Sequence, residues 1–445
     1  MASSAASSSR NNAKRPRDEG SPTEGERVSK VAKDVVSGKK PSHESAPATE
    51  PLQWLPKVGN ACHHAIHLAP KSSTKVAAFD IDGTLIRTAS GAAFAKDHTD
   101  WRWWGDGDVV PKKLKSLIDD GYAVVIVSNQ AIPGNIKDAK KRDAYRDKFV
   151  NKIPLIAAQL PSVPFRLFAA TDKDQYRKPM IGTWYELQRI FREDGVEIDY
   201  QSSIYVGDAA GRSGDHSICD RLYAMNIGIP FQTPEEFFLG KKPKNFKMKG
   251  FHPSDIATDA ETPLFTPATP PLVPTSPTPT EIVLLVGFPG VGKTSFYHKY
   301  FKPAGYAHVN QDTLKTKPKC LKAVRESLAA GKSCIVDNTN RDINTRKDYV
   351  DLAKEMKVSI RALNFDIPLE LAWHINLYRA FALSDAVRSQ EAARELVPRI
   401  AYSGYKNAFQ MPTVEEGFSE IKTINWVFDG SDDDRRRFNM YLDIF

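Results

Sequence analysis

The chain has 445 residues, of which 41% are hydrophobic and 26% are charged, as in ordinary globular proteins. No apolar run approaches the ~18 residues of a membrane span, and the N-terminus lacks the apolar stretch of a secretory signal. The four cysteines are scattered and form no CxxC pair, which excludes a disulfide framework and predicts a reduced intracellular compartment. The net charge of +8 permits a polyanionic partner such as nucleic acid.

Residues 1–52 show no hydrophobic periodicity and are rich in Ser, Ala, Pro, Lys and Glu. Such a composition cannot bury enough apolar surface to fold, so we expect a disordered basic tail. The tail carries one basic cluster at Lys14–Arg17 and a second at Lys30 and Lys33. Two clusters at this spacing resemble a bipartite nuclear import signal, which predicts a nuclear protein. The alternative is a solubilising tail with incidental basic residues.

Two segments, 53–240 and 281–445, alternate short apolar runs with helical patterns, which predicts two α/β domains with doubly wound parallel sheets. We expect each domain to have its own core and to bind ligands beyond the carboxyl ends of its strands. The predicted strands are Val76–Phe79, Ala123–Val127, Arg166–Ala169, Ile204–Val206, Ile282–Val286, Ser333–Val336 and Ser359–Asn364. The predicted helices are Lys112–Asp120, Gly182–Glu193, Gly292–Tyr300, Thr345–Glu355 and Leu369–Ala382.

Residues 241–280 separate the two segments and are predicted to form a linker. They begin with a lysine cluster and continue with seven prolines between Pro263 and Pro279. Proline-rich sequence favours an extended, semi-rigid conformation. The lysines could contact a nucleic-acid backbone or form a solvated linker edge.

An apolar strand in the first segment ends in the run DIDGT, which contains Asp80 and Asp82. Because the two residues are two positions apart on a strand, both carboxylates point to one side of the chain. One carboxylate can attack a phosphorus atom and form an acyl phosphate. The other can protonate the leaving alkoxide and later activate water. Such a division of labour needs a cation that offsets the phosphate charge.

This pattern resembles the haloacid dehalogenase-like phosphatases, whose first motif is DxDGT. Three further motifs follow in order: Ser128 in SNQ, Lys178 in RKPMIGTW and Asp208 in IYVGDAAGR. The resemblance implies that Ser128 holds the phosphoryl group and that Lys178 neutralises nucleophile and phosphate. The fourth motif has a second acidic residue, which is either Asp215 or Asp220.

The same resemblance implies a Mg²⁺ ion in the phosphatase domain. Asp80 and Asp82 of the first motif and Asp208 of the fourth are its expected ligands.

Three tryptophans, Trp101, Trp103 and Trp104, follow in the run DWRWWGDG. They could stack on unpaired bases at a strand end, but packing against the core or a loop is the interpretation we favour.

The second segment begins with EIVLLVGFPGVGKTSFY, a strand, a glycine loop and a helix. The loop matches the P-loop pattern GxxxxGKT, whose backbone amides cradle phosphates and therefore predict ATP. Lys293 would reach the β- and γ-phosphates, and Thr294 would bind Mg²⁺. The predicted nucleotide-binding residues are Gly287, Gly290, Gly292, Lys293, Thr294 and Ser295.

A kinase also needs a group that orients the acceptor hydroxyl, and Asp312 in the run VNQDTL is the best candidate. Asp337 in VDNTN could support the magnesium ion or form an Asx turn. Arg379 lies on a helical pattern and could cover the transferred phosphate as a lid arginine. Alternatively, Arg379 is an ordinary surface arginine on a helix.

A phosphatase of this type followed by a P-loop kinase resembles the bifunctional polynucleotide kinase 3′-phosphatase family of DNA strand-break repair. The resemblance covers about Lys75–Trp426 and is carried by DIDGTLI, VSNQ, RKPMIGTWYEL, VGDAAGR, DRLYAMNIGIPFQTPEEFFL, VGFPGVGKTSFY, VNQDTL, VDNTN and PTVEEGFSEI. It implies removal of 3′-phosphates and ATP-dependent phosphorylation of 5′-hydroxyls at DNA ends, which a ligase can then seal. We expect a monomer. Animal members begin with a forkhead-associated domain, for which the 52-residue tail is too short.

Two other functions compete with this one. A small-molecule phosphatase could be fused to a metabolite or nucleotide kinase, and an RNA-end healing enzyme would carry the same motifs. A scaffold with relic sites is a third alternative, against which the intact motifs argue. Recognition of the 2′-hydroxyl leaves no short motif here, so DNA and RNA are not separated by the sequence.

Overall fold

The computed structural model describes residues 52–130, 138–248, 250–255, 263–274, 279–384, 387 and 395–443. The basic clusters between residues 14 and 33 lie outside the described residues, so the import signal stays a prediction. Within the described residues, no helix is both long enough and apolar enough to cross a membrane.

A seven-stranded sheet organises the first half of the chain, in the order β1-β2-β7-β6-β3-β8-β9. Every residue of the interior strand β3 is buried, which is typical of a parallel strand covered on both faces. A separate two-stranded sheet pairs β4 with β5. The strands of this half are β1 (Leu52–Val58), β2 (Cys62–His67), β3 (Val76–Phe79), β4 (Ile86–Arg87), β5 (Arg102–Trp103), β6 (Ala123–Asn129), β7 (Phe165–Ala170), β8 (Ile204–Val206) and β9 (Phe231–Gln232).

The hairpin β1–β2 adds two antiparallel strands to one edge of this otherwise parallel sheet. The sequence analysis missed it because the histidines of β2 make that strand look polar. In the structure His63, His64 and His67 are all buried. Burial lowers the pKa of His63 and of His64 to about 4, so these rings are neutral near pH 7 and are part of the fold.

A six-stranded sheet organises the second half, in the order β10-β15-β14-β11-β13-β12. All of its pairings are parallel except β10–β15, which is antiparallel. The α/β fold class is therefore confirmed, with one antiparallel pairing or hairpin at an edge of each sheet. The strands are β10 (Phe265–Thr266), β11 (Glu281–Val286), β12 (Ala307–Asn310), β13 (Cys334–Asp337), β14 (Ser359–Phe365) and β15 (Glu420–Ile424).

Amphipathic helices accompany both sheets. In α3, for example, Trp184, Leu187 and Phe191 are buried, which is the spacing of one helix face. The helices are α1 (Val109–Asp119), α2 (Ala139–Ala158), α3 (Gly182–Glu193), α4 (Cys219–Ile227), α5 (Pro234–Leu239), α6 (Lys293–Phe296), α7 (Gln311–Leu314), α8 (Lys317–Ala329), α9 (Ile343–Met356), α10 (Leu369–Leu377), α11 (Arg399–Ala408) and α12 (Asp432–Phe438). Short π-helices, Tyr297–Phe301 and Tyr378–Ala382, extend α6 and α10.

Part of the predicted linker packs on the second sheet. Residues 263–274 contain strand β10 and the buried Leu272. The Lys422 ammonium donates to the Pro267 carbonyl at 2.8 Å, and Arg361 donates to the Leu272 carbonyl at 3.2 Å. The described part of this Pro/Thr-rich segment is therefore fixed to the second domain.

Each half has a buried cluster of its own, but the expectation that the cores are fully separate is wrong, since a third cluster is shared. One cluster of buried side chains contains Met180, Trp184 and Tyr223 from the first half together with Met440 and Leu442 from the second. Buried side chains of α3 and α4 thus belong to the same cluster as Met440 and Leu442 of the C-terminal segment, residues 439–443. The amphipathic patterns show that these faces are apolar, but they do not show which element covers them.

The buried ion pair of Arg361 gives a test of the second domain. Arg361 donates to Glu281 at 2.5 and 2.7 Å, and both side chains are buried. We expect Arg361→Leu to lower the free energy of unfolding by about 3–5 kcal/mol, because it leaves the Glu281 carboxylate buried without its cation. The matched control is Arg325→Leu, which removes an exposed pair with Glu355 and should change little. Urea unfolding measures both, and equal effects would contradict this account.

Candidate active sites

The first candidate site lies where strands β3, β6 and β8 end. Asp80 directly follows β3, Ser128 lies near the end of β6, and Asp208 follows β8. The backbone N–H of Asp80 donates to the Val206 carbonyl at 2.9 Å, which fixes the turn after β3. Parallel neighbours thus bring the sequence-predicted residues to one edge of the sheet, as expected.

Three carboxylates come together at this edge. Asp80, Asp208 and Asp220 each offer an oxygen, and these oxygens lie within 4.8 Å of one another. Asp220 is in α4 and is almost fully buried. Asp215, the other candidate for the fourth motif, pairs with Arg212 at 2.9 Å instead. The geometry therefore favours Asp220.

Lys178 lies at the centre of the site and is buried. Its ammonium group contacts Asp80 and Asp220, each at 2.7 Å. It also donates to the Val127 carbonyl at 2.8 Å and to the Tyr205 hydroxyl at 2.7 Å. Burial alone would lower the pKa of Lys178, but Asp220 and Asp80 raise it above its usual range. The ammonium is therefore charged and holds the Asp80 carboxylate in place.

The cluster carries more negative than positive charge. Burial raises the pKa of Asp80 to about 7, against the opposing effect of Lys178. Burial, with Asp80 and Asp220 nearby, raises the pKa of Asp208 to about 8. Three carboxylates around one ammonium leave two negative charges unbalanced when all are ionised. A divalent cation bound by oxygen ligands fits this donor set.

A glycine allows the close approach of the first and fourth motifs. Gly83 has a φ of +90°, and a Cβ there would lie 2.4 Å from a carboxylate oxygen of Asp208. Any larger residue would therefore displace the Asp208 carboxylate.

The Asp82 side chain lies beside this cluster and is half exposed. Its carboxylate accepts hydrogen bonds from Lys152 at 2.8 Å and from Gln130 at 2.7 Å. Gln130 also donates to the Ser128 hydroxyl at 3.0 Å. Lys152 and Gln130 thus hold the Asp82 carboxylate, and its roles as acid–base group and as metal ligand both stay predictions.

Sequence analysis missed Lys152 and Tyr205. Lys152 is a buried lysine on α2, and Tyr205 is fully buried in β8. Tyr205 lies in the run IYVGDAAGR, where it reads as an ordinary buried strand residue. Lys152 lies outside the motifs, on a helix that the sequence analysis did not predict, and a lysine among the apolar positions of that helix would have been its only signal.

The three tryptophans pack against the core of the first domain. Trp101, Trp103 and Trp104 are partly buried against it. The indole N–H of Trp103 donates to the Gln159 side chain at 2.9 Å, and Trp104 lies against Phe238. This confirms the packing interpretation.

The second candidate site follows strand β11. The P-loop glycines Gly290 and Gly292 have φ values of +76° and +96°, which only glycine adopts easily. The Lys293 ammonium donates to the carbonyls of Gly287 and Phe288 at 3.1 and 2.6 Å. Burial lowers the pKa of Lys293 to about 8, while Asp337 and Asp312 oppose this effect. An anion in the loop would restore the full charge of the ammonium.

The Thr294 hydroxyl, the predicted Mg²⁺ ligand, is tied to β13. It donates to the Asp337 carboxylate at 2.7 Å, and His308 contacts the same oxygen at 2.9 Å. Burial raises the pKa of Asp337, but hydrogen bonds from His308 and Thr294 more than compensate, so the pKa is lowered. An ionised Asp337 beside Thr294 favours its metal-supporting role over a simple Asx turn.

Asp312 and Arg379 both lie near this loop. Asp312 is exposed on α7 and close enough to raise the pKa of Lys293. Arg379 lies on the π-helix after α10 and donates to the Gly290 carbonyl. The structure therefore places Arg379 at the P-loop. A surface arginine on a helix would not need this contact.

A cavity of about 590 Å³ adjoins the P-loop. It is lined by Gly292 and Ser295 on one side, by Arg379 on another, and by the segment 425–430 after β15. The aromatic rings of Trp426 and Phe428 are in this segment. The cavity combines a phosphate-binding loop with apolar walls, as nucleotide sites do.

Comparison with known proteins agrees with these two sites. A family model described as polynucleotide kinase 3 phosphatase matches residues 75–238, and one described as AAA domain matches residues 282–396. A bifunctional polynucleotide phosphatase/kinase of Schizosaccharomyces pombe is 39% identical over 405 residues, or 90% of this chain and 91% of that protein. A protein of the same type from Acanthamoeba polyphaga mimivirus is 33% identical, over 80% of this chain and 86% of its own length. The polynucleotide 3′-phosphatase ZDP of Arabidopsis thaliana is 36% identical over 38% of this chain and 24% of that protein.

The raised pKa values of the carboxylate cluster predict how stability depends on pH. Asp80 and Asp208 have an ordinary pKa of 3.8 and reach about 7 and 8 in the fold. The folded state therefore binds more protons than the unfolded state, and stability must fall as pH rises through this window. Without divalent metal, we expect the melting temperature to fall between about pH 6.5 and 8.5, and Asp208→Asn to reduce this fall.

Calorimetry in EDTA measures this effect, and Asp215→Asn is the matched control, because Asp215 is outside the cluster. An equal pH dependence in the wild type and Asp208→Asn would contradict the assignment.

Proposed function

This chain belongs to the family of bifunctional polynucleotide phosphatase/kinases, and we propose that it heals DNA ends. It removes 3′-phosphates in the first site and phosphorylates 5′-hydroxyls with ATP in the second. The observation that carries this proposal is the presence of both complete sites in one chain that matches such relatives over most of its length. The products are 3′-hydroxyl and 5′-phosphate ends, which a ligase can join.

In the phosphatase site, Asp80 is the nucleophile. Its carboxylate oxygen attacks the phosphorus of the 3′-phosphate, and the bond from phosphorus to the 3′-oxygen breaks. Lys178 holds this carboxylate at 2.7 Å, and its charge offsets that of the incoming phosphate. The Ser128 hydroxyl, near the end of β6, holds a phosphoryl oxygen.

Asp82 supplies the protons of this reaction. In its protonated form it gives a proton to the leaving 3′-oxygen, and the resulting carboxylate then takes a proton from the water that attacks the acyl phosphate, which restores the acid. The second step releases inorganic phosphate and restores the Asp80 carboxylate. Hydrogen bonds from Lys152 and Gln130 support this proposal, because they hold the Asp82 carboxylate in a fixed direction.

Mg²⁺ is the cation that we assign to the carboxylate cluster. Asp80 and Asp208 would hold it, with Asp220 beside them. When bound, it neutralises charge on the transferred phosphoryl group. The excess negative charge of the cluster supports this choice, and the hard oxygen donors fit the ion.

In the kinase site, the P-loop binds the phosphates of ATP. Lys293 would contact the β- and γ-phosphates, and Thr294 would hold a second Mg²⁺, with Asp337 supporting it. The base of the nucleotide occupies the neighbouring cavity of about 590 Å³, where Trp426 and Phe428 offer aromatic surface.

Asp312 orients the 5′-hydroxyl of the acceptor and takes its proton late in the transfer. Arg379 covers the transferred phosphate, and its contact with the Gly290 carbonyl supports this role. Phosphate passes from ATP to the hydroxyl oxygen, and ADP leaves.

DNA is the polynucleotide that we propose, and the nucleus is the proposed place of action. The +8 net charge and the basic clusters of the tail support both. We also propose that the protein is a monomer and that a ligase joins the ends that it produces. RNA ends or small phosphorylated metabolites are the alternatives that the assays must include.

Separation-of-function variants test the two-site proposal. Asp80→Asn should abolish 3′-phosphate removal and leave 5′-phosphorylation largely intact, because the two sites lie on different sheets. Lys293→Ala should lower 5′-phosphorylation at least ~100-fold and spare the phosphatase, since it removes a charge that stabilises the transferred phosphate. End-labelled oligonucleotides measure both activities. Loss of both activities in either variant would mean that the sites do not work independently.

The role of Asp312 is tested in a similar way. Asp312→Asn should lower the kinase kcat by roughly 100-fold or more, because the acceptor loses its base. ATP affinity should stay close to that of the wild type, since Asp312 is exposed and does not line the cavity next to the P-loop. Titration calorimetry with ATP provides the comparison. A collapse of ATP binding would indicate a structural role instead.

A further inference from the structure

Asn226 connects the phosphatase site to the C-terminal segment of the kinase half. It lies in α4, the helix that carries Asp220 near its start. Its side-chain amide donates to the Pro179 carbonyl at 2.9 Å and to the Tyr441 carbonyl at 2.8 Å. Its side-chain oxygen accepts from the Tyr441 backbone N–H at 2.8 Å. Both donor hydrogens and the acceptor of this carboxamide are therefore used.

One of these partners adjoins the catalytic lysine. Pro179 directly follows Lys178, and its carbonyl is the group that Asn226 holds. On the other side, the Asn129 side chain accepts from the Lys178 backbone N–H and donates to its carbonyl, each at 2.9 Å. The backbone around Lys178 is thus held by two asparagines. One of them, Asn226, is also hydrogen-bonded to Tyr441 in the kinase half.

The segment around Tyr441 is in turn fixed to the kinase half. Met440 and Leu442, on either side of Tyr441, are buried in the shared cluster. The Trp373 indole donates to the Asp443 carboxylate at 3.1 Å, and Trp373 is in α10. The C-terminal segment is therefore fixed to the same helix that leads to Arg379.

We propose that Asn226 is a positioning residue for the phosphatase reaction. It fixes α4 and the Lys178–Pro179 segment against the C-terminal segment, so that Asp220 and Lys178 meet Asp80 at the observed distances. The phosphatase site then depends on the kinase half for its geometry. This inference rests on the phosphatase function proposed above, and no catalytic motif contains Asn226.

Asn226→Leu tests the proposal, because leucine has a similar volume but forms no hydrogen bond. With a 3′-phosphorylated oligonucleotide and Mg²⁺, we expect the phosphatase kcat to fall about 10–100-fold. A loss of this size is typical when a residue that orients metal-binding side chains is removed. KM should change less than about threefold, since Asn226 does not contact substrate and displaced catalytic groups affect the chemical step. The kinase kcat of the same preparation should be unchanged, which shows that the variant is folded.

Asn226→Asp is the second variant in case the leucine variant does not fold. Its carboxylate can still accept from the Tyr441 N–H, but it has no hydrogen to donate to the Pro179 carbonyl. It should lose phosphatase kcat in the same way. The matched control is Tyr185→Phe, which removes another contact between the halves, the 3.0 Å hydrogen bond from Arg436. This contact does not adjoin a catalytic residue, so both activities should be retained.

Two results would overturn the inference. The first is an unchanged phosphatase kcat in both Asn226 variants. The second is a parallel loss of kinase and phosphatase activity, which would mean that Asn226 serves only stability. Wild-type protein is assayed for phosphatase activity alongside the variants. An inactive wild type would contradict the proposed function, whereas an active wild type with unaffected variants would contradict only the role of Asn226.

Discussion

The phosphatase site depends on one buried ammonium group. Lys178 has almost no exposure to solvent, and burying its charge is favourable only because Asp80 and Asp220 lie 2.7 Å away. The same contacts hold the Asp80 carboxylate in its position after β3. Because Asp208 adds a third carboxylate beside this one ammonium, the site keeps excess negative charge. One ion-pair network therefore both orders the carboxylates and creates the need for a divalent cation.

The shared core adds a second constraint to this network. A buried cluster joins α3 and α4 to the C-terminal segment, and these are the elements on either side of Lys178 and Asp220. In the kinase half, Arg379 lies on the continuation of α10, which packs against the same C-terminal segment. The two activities therefore reside on separate sheets but share part of their support. This arrangement explains why two domains that resemble independent enzymes belong to one structural unit.

The sequence predicts the parts of this protein in which local pattern and chemistry coincide. Asp80, Ser128 and Asp208 follow apolar runs, so both their place at strand ends and their grouping were predictable. Lys178 lies in the polar loop after β7, where only the motif resemblance marks it. Asp215 and Asp220 were not separable, because motif spacing does not show which carboxylate turns inward. The hairpin β1–β2 was missed since its histidines are buried, and burial depends on tertiary packing. Asn226 makes its contacts with Tyr441 over a long distance in sequence, and no local pattern shows them. Lys152 has only the weak signal of a lysine among apolar positions.

The most direct test of the account uses a nicked DNA that carries a 3′-phosphate and a 5′-hydroxyl at the nick. The protein is incubated with this DNA, Mg²⁺ and ATP, and mass spectrometry reads both ends of the same molecules. The account predicts conversion to a 3′-hydroxyl and a 5′-phosphate. Unchanged DNA ends, together with turnover of free nucleotides or sugar phosphates, would contradict it.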